Sequence, residues 1–184
     1  EKIAWVIDAQ PEEIFFTSGG TESDNWAIKG RMMLGKVLTT RIEHHAVLNS
    51  LAFCEKYPDM GLAKMLPVDK QGLLSLKTLE TNLSRRVSLV SVMFANNEIG
   101  TIEPIKEIAA LTHRYDAVFH TDAVQAVGHI PINVHRLGID LLSASAHKFH
   151  GPKGVGALYI KQGTRIDNLI HGGAQERGRR ASTE

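Results

Sequence analysis

Short apolar runs alternate along the chain with segments in which apolar residues recur every three or four positions. The short runs are rich in Val, Ile, Leu and Phe and predict strands at Ile14–Thr17, Val37–Ile42, Ala63–Val68, Ser88–Phe94, Ala117–Thr121, Leu141–Ser145 and Val155–Ile160. The helical spacing predicts helices at Glu22–Leu34, Ala46–Tyr57, Leu76–Leu83 and Ile105–Arg114. This alternation is typical of an α/β fold, a mostly parallel mixed sheet sandwiched by helices.

Proline and glycine residues support these boundaries. Pro58 and Gly61 follow the second predicted helix and are expected to end it, and Pro104 suits the first turn of the fourth. The sequence contains no internal repeat, low-complexity tract or interdomain linker, so residues 1–184 are predicted to form one domain. Residues 172–180 are rich in Gly and Arg and are predicted to form a loop.

Polar residues gather where four of the predicted strands end. They are Ser18–Thr21, Asn96–Glu98, Asp122 and His147–Lys148. In open α/β sheets, ligands bind beyond the carboxyl ends of the strands. The sequence therefore predicts one ligand site, built from segments far apart in the chain, at this edge of the sheet.

The first and third of these clusters suit an anion and a cation, respectively. Gly19 and Gly20 let the backbone approach an anion, and the first N–H groups of the following helix bind phosphate favourably. The alternative is that Thr21 only caps this helix, with Asp24 three residues on. Asp122 follows a buried strand, where a carboxylate needs a cation or hydrogen-bond donors, such as a protonated pyridine nitrogen. The alternative for Asp122 is a cap of the next turn.

Lys148 stands at a strand end beside other polar groups. A lysine there can have a lowered pKa and hence a free amine that attacks an aldehyde, whereas a solvated surface role fits Lys153 better. Asn96, Asn97 and Gln125 could hydrogen-bond a phenolate oxygen or serve only as turn residues. An amine, an acid and phosphate donors form the set that a pyridoxal phosphate enzyme needs.

The histidines and the cysteine add no metal site and no disulfide. His44 and His45 follow a predicted strand, but their spacing matches no zinc pattern, so no metal site is predicted. The single cysteine, Cys54, cannot form an internal disulfide and favours a reducing, cytoplasmic compartment. It shares a helical face with Val47 and Leu51 and is predicted to be a buried hydrophobic residue.

Composition excludes two classes of partner. The chain is 43% hydrophobic and 22% charged, as is ordinary for a globular domain. Its net charge of +1 gives no electrostatic footprint for nucleic acid or a membrane surface, and no apolar run is long enough to span a bilayer. No nucleic-acid or membrane partner is expected.

Beyond these generic features, six segments carry motifs in an order and spacing that resemble one family. They are FTSGGTESDNWAIKG (15–29), EHHAVL (43–48), NNEIGTIEPI (96–105), HTDAVQAVG (120–128), SASAHKFHGPKGVGALY (143–159) and HGGAQERGRRASTE (171–184). The chain resembles the large domain of a NifS/IscS-type cysteine desulfurase, within the class V aminotransferase group of fold-type I pyridoxal phosphate enzymes. The resemblance covers nearly the whole chain and implies that residues 1–184 are the cofactor-binding large domain.

The resemblance implies pyridoxal 5'-phosphate as the cofactor, with Lys148 and His44 as the catalytic residues. Lys148 would form a Schiff base with the cofactor and move the α-proton of the substrate, and His44 would stack on the ring. Asp122 would pair with the pyridine nitrogen. Asn97 and Gln125 would contact the phenolic oxygen.

The remaining implied cofactor contacts concern the phosphate. Gly20, Thr21, Ser145 and His147 would hold it. Thr183 matches the residue that reaches the phosphate of a neighbouring subunit in this family, which implies a homodimer.

The reaction implied is the conversion of L-cysteine to L-alanine, with the sulfur passed to an enzyme cysteine as a persulfide. An iron–sulfur scaffold or other acceptor protein would then take the sulfur. The family carries this cysteine and a substrate-binding arginine in a C-terminal part, and has an N-terminal segment as well. We therefore expect the chain to be a fragment, inactive alone. The alternatives are another class V enzyme, such as a cysteine or cystine C–S lyase or a selenocysteine lyase, and a non-catalytic scaffold.

Overall fold

The computed structural model describes residues 1–56 and 62–181. The helix predicted at Ala46–Tyr57 ends at Cys54, three residues earlier than predicted, and the breakers Pro58 and Gly61 and the site residue Thr183 lie outside the described residues. The strands within these ranges are β1 (Ile14–Thr17), β2 (Lys36–Thr40), β3 (Ala63–Leu66), β4 (Val87–Ser91), β5 (Val118–Asp122), β6 (Leu141–Ser145) and β7 (Gly156–Ile160). The helices are α1 (Lys2–Ile7), α2 (Gly20–Met32), α3 (His45–Cys54), α4 (Leu76–Asn82), α5 (Ile105–His113), α6 (Val134–Leu137) and α7 (Gln175–Gly178).

The strands form one sheet in the order β1-β7-β6-β5-β4-β2-β3. The pairs from β3 through β2, β4 and β5 to β6 are parallel, and β7 runs antiparallel to both β6 and β1. The predicted fold class, a mostly parallel mixed sheet between helices, is therefore confirmed.

Each face of the sheet has its own apolar core. One core joins residues of α2 and α3 to the sheet, and its helical members include Trp26, Ile28, Val47, Leu51 and Cys54. The other joins α1, α4, α5 and α6 to the opposite face, with Ile7, Leu79, Ile108 and Val134 among its members. Neighbouring strand residues alternate between the cores, so Leu89 belongs to the first and Val90 to the second. The prediction that Cys54 is a buried hydrophobic residue is confirmed, and burial raises the pKa of its thiol.

β3 ends at Leu66, two residues before its predicted end, and β2 and β4 also end earlier than their apolar runs predict. β2 ends at Thr40, where the chain turns and the Thr40 hydroxyl donates a hydrogen bond to the Glu43 carboxyl group (2.6 Å). β4 ends at Ser91, although the Val92 N–H still donates to the His120 carbonyl oxygen of β5 (3.1 Å). In β2 and β4, the run of apolar residues therefore continues beyond the end of the regular strand.

Close backbone packing fixes the turn from β1 into α2. The N-cap of α2 is Gly19, whose φ of 155° is a conformation that other residues rarely adopt. A Cβ atom on Gly156 of β7 would lie 2.5 Å from the Gly19 Cα atom, so only glycine fits there. This contact holds the start of α2 against the carboxyl end of β6.

Within the described residues, no helix combines the length and apolarity needed to cross a bilayer.

Candidate functional site

A cavity of about 240 Å³ lies at the carboxyl ends of β4, β5 and β6, beside the start of α2. Its walls come from the turn into α2, the start of α3 and the segments that follow the three strands. The lining residues are Gly20, Thr21, Asp24, His44, Met93, Asn97, Asp122, Val124, Gln125, Ser145, His147 and Lys148. The cavity thus brings together all the sequence-predicted site residues that the structure describes, and Thr183 lies outside the described residues.

The turn into α2 and the end of β6 form one end of the cavity, with the properties of an anion cradle. The first N–H groups of α2 have no acceptor within the helix and point out of its N-terminus. Ser145 Oγ and His147 Nδ1 lie 3.0 Å apart beside them. A Cβ atom at Gly20 would come within 2.6 Å of Val124 Cγ2, so glycine keeps this end open.

Asp122 is a buried carboxyl group at the end of β5. Its Oδ1 accepts a hydrogen bond from the Val124 N–H (2.9 Å), so Asp122 caps the following turn and also faces the cavity. The capping alternative is therefore confirmed, and the pairing of Asp122 with a cation stays a prediction. Burial raises the pKa of Asp122, although the Val124 N–H, His44 and Lys148 all favour its ionised form. A cation placed against this carboxyl group would be stabilised.

Lys148 and His44 line the cavity from two different segments of the chain. Lys148 is half-buried on a short 3₁₀ turn, and its carbonyl oxygen accepts a hydrogen bond from His129 Nε2 (2.9 Å). The exposed His44 is the N-cap of α3, and its Nδ1 accepts from the Ala46 N–H (3.1 Å). This hydrogen bond places the proton of the neutral imidazole on Nε2 and fixes the ring orientation.

The polar residues near these strand ends divide into two roles. Asn97 and Gln125 line the cavity, whereas Asn96 is a turn residue whose Oδ1 accepts from the Glu98 and Ile99 N–H groups. Lys153 is exposed in a shallower groove beside the cavity. The sequence alone left both roles open for Asn96 and Asn97.

Sequence reasoning missed three lining residues: Asp24, Met93 and Val124. The alternative in which Asp24 completes a capping box with Thr21 is wrong, because Gly19 is the N-cap and Asp24 is 1% exposed. The available signal was a carboxylate on the same helical face as the buried Ala27 and Ile28.

Asp24, His44 and Asp122 each place one possible ligand atom within 4.8 Å of the others. Spacing along the chain could not reveal this grouping, because the three residues belong to different elements. The three atoms share the cavity with Lys148. The absence of a metal site stays a prediction.

The cavity's donors and acceptors match the chemistry of pyridoxal phosphate. Asp122 offers a buried acid for a protonated ring nitrogen, and the start of α2 offers N–H groups for a phosphate. Lys148 offers a primary amine for the aldehyde carbon. The residues present therefore fit this cofactor.

Comparison with known proteins gives consistent results. The family described as aminotransferase class-V matches residues 1–179. A cysteine desulfurase IscS of Clostridium botulinum is 57% identical over 189 aligned residues, which cover 100% of this chain and 47% of that protein.

Solved structures agree in fold and in extent. A NifS-like protein has a TM-score of 0.94 and 43% identity, covering 100% of this chain and 52% of its own. SspA in complex with cysteine has a TM-score of 0.92 and 39% identity, covering 99% of this chain and 54% of its own. The chain spans about half the length of the relatives that it matches.

Proposed function

Because the chain belongs to the class V aminotransferase family, we propose that residues 1–184 are the pyridoxal phosphate-binding large domain of a cysteine desulfurase. The observation that carries this proposal is that one cavity is lined by Lys148, Asp122 and the open start of α2 together. The relatives named as cysteine desulfurases support the choice of reaction, and the structure of SspA with cysteine supports L-cysteine as the substrate.

The cofactor's own contribution is simple to state. When bound, pyridoxal phosphate withdraws electrons from the α-carbon of an amino acid joined to its aldehyde carbon. This chain's residues supply the binding, orientation and proton transfers. Lys148 offers the amine that holds the cofactor between turnovers and that carries the α-proton of L-cysteine during the reaction.

The other cavity residues hold the ring in a fixed plane and electronic state. Asp122 would keep a proton on the pyridine nitrogen, and His44 would cover one face of the ring; both line the cavity. Asn97 and Gln125 bind the phenolic oxygen. The phosphate is held by Gly20, Thr21, Ser145 and His147.

The products of the complete enzyme are L-alanine and a persulfide on an enzyme cysteine. A sulfur-acceptor protein, such as an iron–sulfur scaffold, removes that sulfur. The complete enzyme is proposed to be a cytoplasmic homodimer, and Thr183 is the residue that the family resemblance assigns to the phosphate of the neighbouring subunit. Cys54 takes no part in sulfur transfer, since its thiol is buried in the core formed with α2 and α3.

The test is the product formed from L-cysteine by the complete enzyme that contains this chain. A desulfurase releases L-alanine, and a C–S lyase releases pyruvate. We expect alanine in the wild type and a loss of at least about 10³-fold in Lys148→Ala, because general acid–base catalysis and cofactor attachment are both removed. The exposed-lysine variant Lys70→Ala is the matched control and should keep the wild-type rate.

Pyruvate as the main product would contradict the desulfurase assignment and favour a C–S lyase. Full activity in Lys148→Ala would contradict the site itself. Absence of both products, with cofactor bound, would favour a non-catalytic scaffold.

A further inference from the structure

A second carboxyl group, Asp24 of α2, lines the cavity near Asp122. Asp24 is 1% exposed, and its Oδ1 has no hydrogen-bond partner among residues 1–56 and 62–181. A possible cation beside it is His120, whose Nε2 lies 3.8 Å from Asp24 Oδ1. A buried carboxylate without a donor on one oxygen is costly, so the state of Asp24 needs an explanation.

His120 does not supply a compensating charge. Its ring is fully buried, with Nδ1 at 2.8 Å from Ser91 Oγ and Nε2 at 3.0 Å from Ser143 Oγ. Burial lowers the pKa of His120 to about 3, so the imidazole is neutral at physiological pH. The negative charge of an ionised Asp24 would therefore not be offset by His120.

Asp24 and Asp122 lie close together in the cavity. Possible ligand oxygens of the two carboxyl groups lie within 4.8 Å of each other, so the ionisation of one raises the pKa of the other. Two buried carboxyl groups this close cannot both ionise at low cost, so they share one proton.

The surroundings decide which member keeps the proton. Asp122 accepts the Val124 N–H and faces Lys148 and His44, all of which favour its carboxylate. Burial and the Asp122 charge instead raise the pKa of Asp24 well above its ordinary value, although the Ser143 hydroxyl favours its ionised form. The asymmetry leaves the proton on Asp24 and the charge on Asp122.

We propose that Asp24 is a positioning residue that remains a neutral acid and donates its proton to Asp122 in a hydrogen bond. It thereby fixes the Asp122 carboxylate in the orientation that a pyridine nitrogen requires. This inference rests on the proposed cofactor site and concerns a residue outside the set assigned above. The titratable groups that face Asp24 are Asp122 and His120 of β5, Glu43 and His44 before α3, and Lys148 after β6.

The experiment uses the cofactor-free enzyme and titrates it with pyridoxal 5'-phosphate, with the dissociation constant as the readout. Asp24→Asn has the same shape and an N–H that can donate to Asp122, so its affinity should stay within about threefold of wild type. Asp24→Ala lacks the donor and should bind at least about tenfold more weakly, since loss of one charge-assisted hydrogen bond has that effect.

A control separates this effect from general loss of stability. Asp140 is a buried carboxyl group at the opposite edge of the sheet, where it accepts hydrogen bonds from His113 Nε2 (2.7 Å) and the Phe119 N–H (2.9 Å). Asp140→Asn should lower the unfolding temperature and leave the affinity for pyridoxal 5'-phosphate unchanged.

A second readout needs no cofactor. A carboxyl group that stays protonated in the folded protein stabilises it fully below its unfolded pKa, and this contribution is lost as the pH rises through the folded pKa. The free energy of unfolding of the cofactor-free wild type should therefore fall more steeply from about pH 5 upward than that of Asp24→Asn. A merely structural side chain would not change this slope.

Each outcome has a definite meaning. Equal affinities for wild type and Asp24→Ala would overturn the inference, as would Asp24→Asn binding as weakly as Asp24→Ala, because the charge of Asp24 would then be what matters. Identical pH slopes in wild type and Asp24→Asn would overturn it as well. If the wild type itself did not bind pyridoxal 5'-phosphate, the proposed cofactor site would be wrong, and this inference with it.

Discussion

The pKa of a buried carboxyl group in this protein depends on its burial and on the hydrogen-bond donors around it. Glu43 Oε1 accepts hydrogen bonds from the Thr40 hydroxyl (2.6 Å) and the Met93 N–H (3.1 Å), whereas Oε2 has no partner among the described residues. Burial raises the pKa of Glu43 to about 8, despite these two donors. Glu43 directly precedes His44, so its protonation state bears on the loop that forms one wall of the cavity.

The pH dependence of stability should report Glu43. Glutamate in the unfolded chain ionises near pH 4.5, whereas Glu43 in the folded protein stays protonated until about pH 8. Its stabilising contribution is complete below pH 4.5 and is lost as the pH rises through about 8. Urea unfolding of Glu43→Gln should show a flatter profile over this interval, by up to about 1.4 kcal/mol per pH unit, the value for one proton.

The exposed-residue variant Glu55→Gln is the control and should follow the wild-type profile. A Glu43→Gln profile parallel to that of the wild type would show that Glu43 is ionised in the folded protein and would contradict this assignment.

The residue types at the strand ends predicted most of the residues that line the cavity, but they predicted neither Asp24 nor the buried Glu43. Lys148 and Asp122 each follow a predicted strand, and the rule that ligands gather there was enough to bring them together, whereas His44 was assigned only through the family resemblance. Asp24 was missed because its position depends on the face that α2 presents to the sheet. Glu43 was missed because its burial depends on the turn after β2.

At the scale of the element, the antiparallel strand β7 supports the anion cradle. Gly156 of β7 pairs with Thr17 of β1 and with Ser145 of β6, so it lies between the two segments that form this end of the cavity. The apolar pattern predicted β7 but not its direction, because the alternation of residues along a strand is the same in both directions. The direction follows from the short connection after β6, which lets β7 return beside it.

Replacing Gly156 by alanine should open the cradle. The new Cβ atom would lie 2.5 Å from the Gly19 Cα atom and 2.8 Å from the Ala144 carbonyl oxygen, so the backbone must shift. We expect a loss of about 1–3 kcal/mol in the free energy of unfolding and at least about tenfold weaker binding of pyridoxal 5'-phosphate. Chemical denaturation and cofactor titration measure the two effects.

Gly163→Ala provides the comparison. Gly163 has a φ of 86°, and among the described residues no atom lies within 4 Å of the position that a new methyl group would take. Alanine there strains only the local backbone. This variant should lose stability without losing cofactor affinity. Equal losses of affinity in both variants would contradict a specific role for the contact between β7 and the start of α2.

At the scale of the whole molecule, helices on both faces leave the carboxyl ends of the parallel strands as the open edge of the sheet. The strands β1 to β7 and the helices α2 to α5 could be predicted because short apolar runs mark the strands and segments with helical spacing lie between them. α1 and α6 have six and four residues, respectively, and are too short to show a clear period. Strand order could not be read from the pattern, since it depends on contacts between segments distant in the chain.

In the proposed enzyme, Lys148 holds pyridoxal phosphate covalently in the cavity at this open edge. The most direct test is borohydride reduction of the cofactor-loaded protein, followed by intact mass measurement and peptide mapping. We expect one reduced cofactor per chain, attached to Lys148 and not to the exposed Lys153. An unmodified mass, or a label on another lysine, would contradict it.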